Sequence, residues 1–303
     1  MPTPLHITIL AEEESWHVRD LRRAAEDVGH HVRRCSWNQL SASLDSQTHH
    51  VRTGPTTLGD GDVILTRVVP AASLERIVLR MDMLQRLEAA GVLIINGPRA
   101  IEAAVDKYLS LARIAADHLP VPPTAACQNV DDAMAAFDRL GGDVIVKPLF
   151  GAEGFGMVRV TDRDAAARYF RELDQADRVI YLQQTLDHGG SDLRLFVIGD
   201  DVVASIRRTS GGGVEGWRTN LARGGVAESI EPTASLKSLA VRAAAACDAV
   251  VAGVDVAIDQ TGQPFVLEVN AAPGWRGLSR RTGVDVAAKI IAHAEALLRS
   301  PVA

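Results

Sequence analysis

Phe265, Val266, Leu267 and Val269 make a run that has to be buried, and the same run carries Glu268 and Asn270. A strand sends successive side chains to opposite faces, so Glu268 and Asn270 share one face while Leu267 and Val269 share the other. Upstream, AGVDVAID holds Asp255 in equally apolar company, and the two segments are joined through Gly262. This pattern requires paired strands with a core on one side and carboxylates on the other. A buried carboxylate is costly unless it is paired, hydrogen-bonded or bound to a metal. On these residues alone two readings stay open. One is a structural polar face, wet or internally hydrogen-bonded. The other is an oxygen-donor set for a hard cation such as Mg²⁺, held together with phosphates.

The rest of the chain alternates in a way that builds α/β lobes around that hairpin. LHITIL (5–10) predicts a strand, SWHVRDLRRAAEDVG a helix capped by Ser15 and closed by Gly29, and HHVRRCSW a second strand. A polar, Gly/Pro-bearing segment over 41–60 follows, then strand DVILTRV, helix SLERIVLRMDMLQRLEAAG and strand VLIIN. The alternation predicts a small parallel α/β lobe over 1–97, with no G-x-G-x-x-G turn to mark a dinucleotide. Glu12, Glu13 and Glu14 stand where a helix begins, which suits its positive end. The pairs His30-His31 and His49-His50 have no clustered ligands, so both are expected at the surface. A helical connector follows and ends in prolines. Strands and helices then alternate through VIYLQQ, giving a second lobe over 98–187. The third, over 188–303, has a hairpin turning at Gly199-Asp200, a glycine-rich break, helix SLKSLAVRAAAACDAV, the carboxylate hairpin and a final helix from Thr282.

Composition narrows the setting. Across 303 residues, 47% hydrophobic and 23% charged content suits ordinary packed lobes, and a formal charge of -6 without charge blocks argues against nucleic-acid or membrane partners. Cys35, Cys127 and Cys247 are widely spaced and odd in number, which points to reduced thiols and a cytoplasmic setting. The start, MPTPLHITILAEEE, has neither the basic flank nor the length of a signal or spanning helix.

Two further features bear on chemistry. In VIVKPLFGAEGFGMVRV an apolar strand delivers Lys147 to a loop containing Gly151, Gly154 and Gly156. Such a loop lets backbone N–H groups approach a polyphosphate, although a flexible hairpin tip would look the same. It is not a Walker A loop, because it lacks the G-K-[ST] end and leads into a strand. Arginines also recur in the third lobe: Arg194, Arg207, Arg208, Arg218 and Arg223. Arg194 and Arg207 stand among Leu, Phe, Val and Ile, where a guanidinium suits phosphate or carboxylate recognition.

Read in order, VDKYLS, VIVKPLFGAEGFGM, YLQQTLD, SDLRLFVIGDDVVASIRR, WRTNLARGGVAE, GVDVAID and LEVNAAPGWRG resemble the ATP-grasp superfamily, in its RimK-like branch of carboxylate-amine ligases. The resemblance covers about 96–292, and the N-terminal lobe looks like that family's pre-grasp domain. It implies an α/β fold, α+β within the grasp lobes, that binds ATP with two Mg²⁺ ions, Mn²⁺ being a workable substitute. Lys107 and Lys147 would contact phosphates and Gly151 to Gly156 would close over them. Gln184-Thr185 would hold adenine through backbone, where relatives often have Glu in place of Gln184. Asp192 would lie at the nucleotide, and Arg218, Thr219 and Asn220 would line its phosphate side. Asp255, Glu268 and Asn270 would bind the metals. A substrate carboxylate would take the γ-phosphate to give an acyl phosphate, which an amine would then attack. Arg207 would stabilise the oxyanion, with Arg194 beside it, and Arg276 would be available to an α-carboxylate.

Within that branch the pattern LTRVVPAASLERIVLRMDMLQRLEAAGV looks most like the tetrahydromethanopterin:glutamate ligases. The implied substrates are glutamate and a small carboxylate acceptor of the pterin one-carbon type. The alternatives are ligases that modify a ribosomal protein or an acidic carrier protein, a phosphotransferase, and a non-catalytic nucleotide-binding regulator. Members are often dimers or tetramers, so a homo-oligomer is expected.

Overall fold

The computed structural model describes residues 4–59, 62–151, 156–210 and 226–299. The N-terminal lobe runs β1 (His6–Leu10), α1 (Trp16–Asp27), β2 (His31–Cys35), β3 (Leu40–Leu44), β4 (His49–Thr53), β5 (Thr56–Leu58), β6 (Asp62–Thr66), α2 (Leu74–Ala89) and β7 (Leu93–Ile95). Its main sheet is parallel, in the order β2-β1-β6-β7. Ser15 caps α1 by accepting the Val18 N–H, and Gly29 beyond its end has φ 87°, as the sequence pattern requires.

Three expectations for this lobe need correction. Residues 41–60 are not simply a polar connection: β3, β4 and β5 form a separate antiparallel sheet whose Val51 and Leu58 pack with Trp37 and Leu84. None of the three glutamates lies in the first turn of α1. Glu12 instead accepts from Ser36 and Asn38, and Glu14 pairs with Arg22 and Arg34. His30 is buried, with Nδ1 accepting the Leu5 N–H and Nε2 lying 2.8 Å from the Glu295 carboxylate. It precedes β2 rather than lying in it, so strand alternation does not govern where it points.

The chain continues through α3 (Pro98–Val105), α4 (Lys107–Ala116), β8 (Thr124–Cys127), α5 (Val130–Arg139), β9 (Val144–Lys147), β10 (Val158–Val160), α6 (Arg163–Gln175) and β11 (Ile180–Gln184). The last four strands form an antiparallel sheet, β10-β9-β11-β8, covered by α5 and α6 through Phe137 and Phe170. Then follow β12 (Ser191–Ile198), β13 (Asp201–Thr209), β14 (Val226–Ser229), α7 (Ala234–Ala246), β15 (Val251–Ile258), β16 (Pro264–Asn270), α8 (Arg276–Thr282) and α9 (Val286–Arg299). These strands form an antiparallel sheet in the order β14-β13-β12-β15-β16. Strand β14 and helix α8 were not expected, and the final helix, α9, begins at Val286 and not at Thr282, because α8 ends at Thr282 with a left-handed Gly283 beyond it.

Both faces of this five-stranded sheet are buried, which is why its strands read as almost continuous apolar runs. Phe196, Ile198 and Ile206 face α9 and the parallel sheet, sharing a core with Ile7, Ile9 and Trp275. Leu193, Leu195 and Val197 face α3, α4 and α7. Asn96 ties the lobes together. Its Nδ2 donates to the carbonyls of Val251 and Ala271, both at 2.6 Å, and its Oδ1 accepts the Val251 N–H at 2.9 Å. Asn96→Ala leaves those backbone groups unpaired in a buried place, and a loss of about 2 kcal/mol is expected in denaturant unfolding.

Candidate active site

Cross-strand register brings the charged residues of the five-stranded sheet onto one face. Asp192 stands opposite Arg208, Arg194 opposite Asp255, and Asp255 opposite Glu268. A bulge shifts the register between Asp255 and Val256, so Asp255 pairs with Glu268 and Val256 with Val266. In consequence Val266 and Val269 enter the same core, while Leu267, expected to join Val269 there, is only half-buried.

The acids and arginines form one chain of contacts. Arg208 grips Asp192 with two hydrogen bonds at 2.6 and 2.8 Å and reaches Asp255 Oδ2 at 2.9 Å. Arg194 grips Asp255 from the other side through Nε and Nη2, the latter at 2.7 Å, and lies 3.9 Å from Glu268. Burial would raise the Asp255 carboxyl, but the two guanidiniums outweigh it and hold it well below the usual carboxylate range. Glu268 differs. Its side chain keeps 43% of its exposure. Its carboxyl is raised, first by the loss of water around it and then by Asp255, with Arg194 and Lys147 only partly offsetting them. Asn270 accepts the Ala272 N–H through Oδ1 at 2.9 Å, which orients the amide oxygen on the same strand end.

The second lobe supplies cations to this acidic end. Lys147 closes β9 and donates to Gln183 Oε1, and burial pushes its amine down to about 8 despite the pull of Glu268. Lys107 begins α4, whose cap Asp106 accepts the N–H groups of Tyr108 and Leu109. Its ammonium donates to the Gly151 carbonyl at 2.6 Å, and burial lowers its pKa as well. Gly156 cannot be replaced freely: φ is 73°, and a Cβ there would sit 2.9 Å from Pro148 Cγ.

Eight of the expected residues lie along these contacts: Lys107, Lys147, Gly151, Asp192, Arg194, Asp255, Glu268 and Asn270. Arg207 does not. Adjacent residues on a strand face opposite ways, so it is Arg208 that joins Asp192 and Asp255, while Arg207 is exposed and pairs with Glu228 at 3.4 Å. Gln184 and Thr185 lie at the end of β11, where their N–H groups donate to the carbonyls of Pro123 and Asp143. Arg276 opens α8, over the ring of Trp16. Gly154, Arg218, Thr219 and Asn220 lie outside the described residues, as does Arg223. Sequence reasoning missed Gln183, which accepts from Lys147 and donates to Thr124 Oγ1 at 3.1 Å. A polar residue at 2% exposure in the apolar strand IYLQQ was the available signal.

Among the described residues no group of three or more His, Cys, Asp or Glu side chains is arranged to hold a metal. The donor set is two carboxylates and an amide. It suits a hard cation, because two facing carboxylates that raise Glu268 are relieved by added positive charge, and oxygen donors are what Mg²⁺ takes.

Two strands present facing acids, and Lys147 from β9 and Lys107 from α4 lie close enough to Glu268 to feel its charge. A model of the RimK-like ATP-grasp domain matches residues 104–294 and one of the RimK PreATP-grasp domain matches residues 5–101. The chain belongs to the RimK-like ATP-grasp family and is an ATP-dependent ligase, so the resemblance in its motifs is borne out. It is similar to the tetrahydromethanopterin:alpha-L-glutamate ligase of Methanosarcina acetivorans, 30% identical over 320 residues, covering 95% of this chain and 98% of that one. A probable alpha-L-glutamate ligase of Picosynechococcus is 32% identical over 295 residues, covering 96% and 95% respectively. The fold is shared with the ATP-grasp ligase PsnB, solved with a minimal precursor, Mg and ADP, at a TM-score of 0.75 and 24% identity, over 97% of this chain and 98% of that one.

Proposed function

We propose that the chain joins the amine of L-glutamate to a carboxylate of a small acceptor, of the pterin one-carbon cofactor type, through an acyl phosphate and with release of ADP. The observation that carries this reading is the meeting of Lys107 and Lys147 with Asp255 and the half-open Glu268 at one strand end. The named activities of the relatives support glutamate as the amine.

Asp255, Glu268 and Asn270 would hold Mg²⁺, two ions being the number proposed, and bound metal would offset the charge between the γ-phosphate and the attacking carboxylate. Lys147 and Lys107 bind phosphate oxygens, and the backbone at Gln184-Thr185 holds the adenine. Gly151 and Gly156 would lie beside the phosphates, where backbone N–H groups can approach them closely. Asp192 takes its part by fixing Arg208, which in turn holds Asp255. Arg194 lies on the Glu268 face, so it replaces Arg207 as the guanidinium for the tetrahedral oxyanion. Arg276 takes the α-carboxylate of the amino acid.

The test is ADP release from purified protein with Mg²⁺-ATP, glutamate and a panel of acids, with product mass measured alongside. A glutamate-dependent signal and a product heavier by one or more glutamyl residues are expected. ADP release that ignores glutamate would overturn the reading, and so would turnover confined to a protein acceptor.

Nucleotide binding should depend on pH in a defined direction. In the free protein Lys147 loses its charge as pH rises through about 8, so a positive partner for the phosphates is lost. ATP affinity is expected to fall by about tenfold between pH 7 and 9. Calorimetry on Lys147→Met should give a weaker and nearly flat profile over the same range.

A further inference from the structure

Strand β11 has two unlike faces. Ile180 and Leu182 share a core with Phe137 and Phe170 of α5 and α6, while Tyr181 belongs to the core of the third lobe, with Leu193, Leu195 and Val269. Gln183 stands two residues on from Tyr181, so it lies on the face turned to the five-stranded sheet. Cross-strand register sets Tyr181 opposite Lys147 and Gln183 opposite Thr124, which brings all four side chains to that face. Gln183 is buried there, so each end of its amide needs a partner.

The hydrogen bonds fix which way that amide points. The Thr124 hydroxyl donates its one hydrogen to the Pro122 carbonyl at 2.8 Å, so toward Gln183 it acts as an acceptor. Gln183 Nε2 donates to it at 3.1 Å. Oε1 is thereby left for the Lys147 ammonium, which donates to it. A flipped amide would set its NH₂ group against the ammonium, donor against donor. The acceptor is also neutral. Among the described residues Lys147 forms no ion pair, although Glu268 is near enough to pull on it. A carboxylate in the place of Gln183 would hold the ammonium and cancel it, whereas an amide oxygen holds it and leaves its charge for an anion. We infer that Gln183, anchored by Thr124, is a positioning residue that aims the Lys147 ammonium at the phosphates of the nucleotide while leaving it charged. This rests on the reading above in which Lys147 meets those phosphates.

The experiment is a double-mutant cycle, read by calorimetric titration of a non-hydrolysable ATP analogue with Mg²⁺ into the intact protein. Gln183→Met removes the acceptor at nearly constant side-chain length, and should weaken nucleotide binding by at least about tenfold in the wild-type background. In a Lys147→Met background the same change should cost less than about twofold, because the lysine it acts through is gone. A glutamine that only satisfies the buried sheet would cost the same in both backgrounds, and that result overturns the inference, as does undiminished binding in Gln183→Met. Thr124→Val carries the cycle if Gln183→Met does not fold. It frees the amide to rotate, and should cost about threefold with Lys147 present and less than that by a clear margin without it. Unchanged nucleotide affinity in Lys147→Met also overturns the inference, since the lysine would then not touch phosphate. The ligase reading fails separately. If the cycle holds but no acid gives glutamate-dependent ADP, the positioning role stands and the reaction does not. If ADP release depends on glutamate while the two backgrounds lose equally, the reaction stands and Gln183 is structural.

Discussion

Glu268→Gln is expected to lower glutamate-dependent ADP release by about 10³-fold while leaving the protein as stable as wild type or more so. The two effects have one cause. Glu268 faces Asp255 across β15 and β16, and in the free protein its carboxyl is raised by desolvation and by that neighbour. A carboxylate whose folded pKa is raised costs stability at neutral pH, so making it neutral relieves the folded state. The same substitution removes the half-open carboxylate that would share metal between the phosphates. Thermal melting and steady-state kinetics on one preparation check both halves. A variant that melts well below wild type would mean that Glu268 is a structural partner of Arg194, and the activity loss would then say little about metal.

Asp255→Ala should behave in the opposite way. Its carboxylate neutralises Arg194 on one side and Arg208 on the other, and all three side chains are no more than 15% exposed. Removing it leaves two guanidiniums in a buried place with one acid fewer, and a loss of about 3–5 kcal/mol in unfolding free energy is expected. The pH dependence has a definite sign. The folded pKa of Asp255 is depressed below its unfolded value, so its contribution is present above about pH 4 and is lost as pH falls toward the folded pKa. The gap in stability between wild type and Asp255→Ala should therefore narrow in acid. Denaturant unfolding at pH 7 and pH 3 measures it, and a gap that stays constant would show that Asp255 is not ionised in the folded protein. Asp255 thus has a structural duty as well as its proposed place at the metal, whereas Glu268 has little of the former.

The amino-acid sequence by itself determined the parts of this protein that local periodicity controls. Alternation in VDVAID and VLEVN marked paired strands with acids on one side, and the Gly199-Asp200 turn marked β12 and β13 as a hairpin. The same local logic delivered Lys147 to the end of β9 and opened α1 at Ser15. What depends on register was not legible. Arg207 and Arg208 are adjacent, and only the pairing of Asp192 with Arg208 across β12 and β13 shows which of them turns toward the acids. The bulge beside Asp255 likewise moves Val266 rather than Leu267 into the core, because one unpaired residue reverses the alternation upstream of it. Contacts between lobes were further out of reach. His30 finds Glu295, Asn96 finds Val251, and Arg67 finds Trp275 across separations of 155 residues or more. Tertiary structure alone decided these, since a side chain's distant partners follow from how whole faces pack and leave no periodic trace in the residues around it.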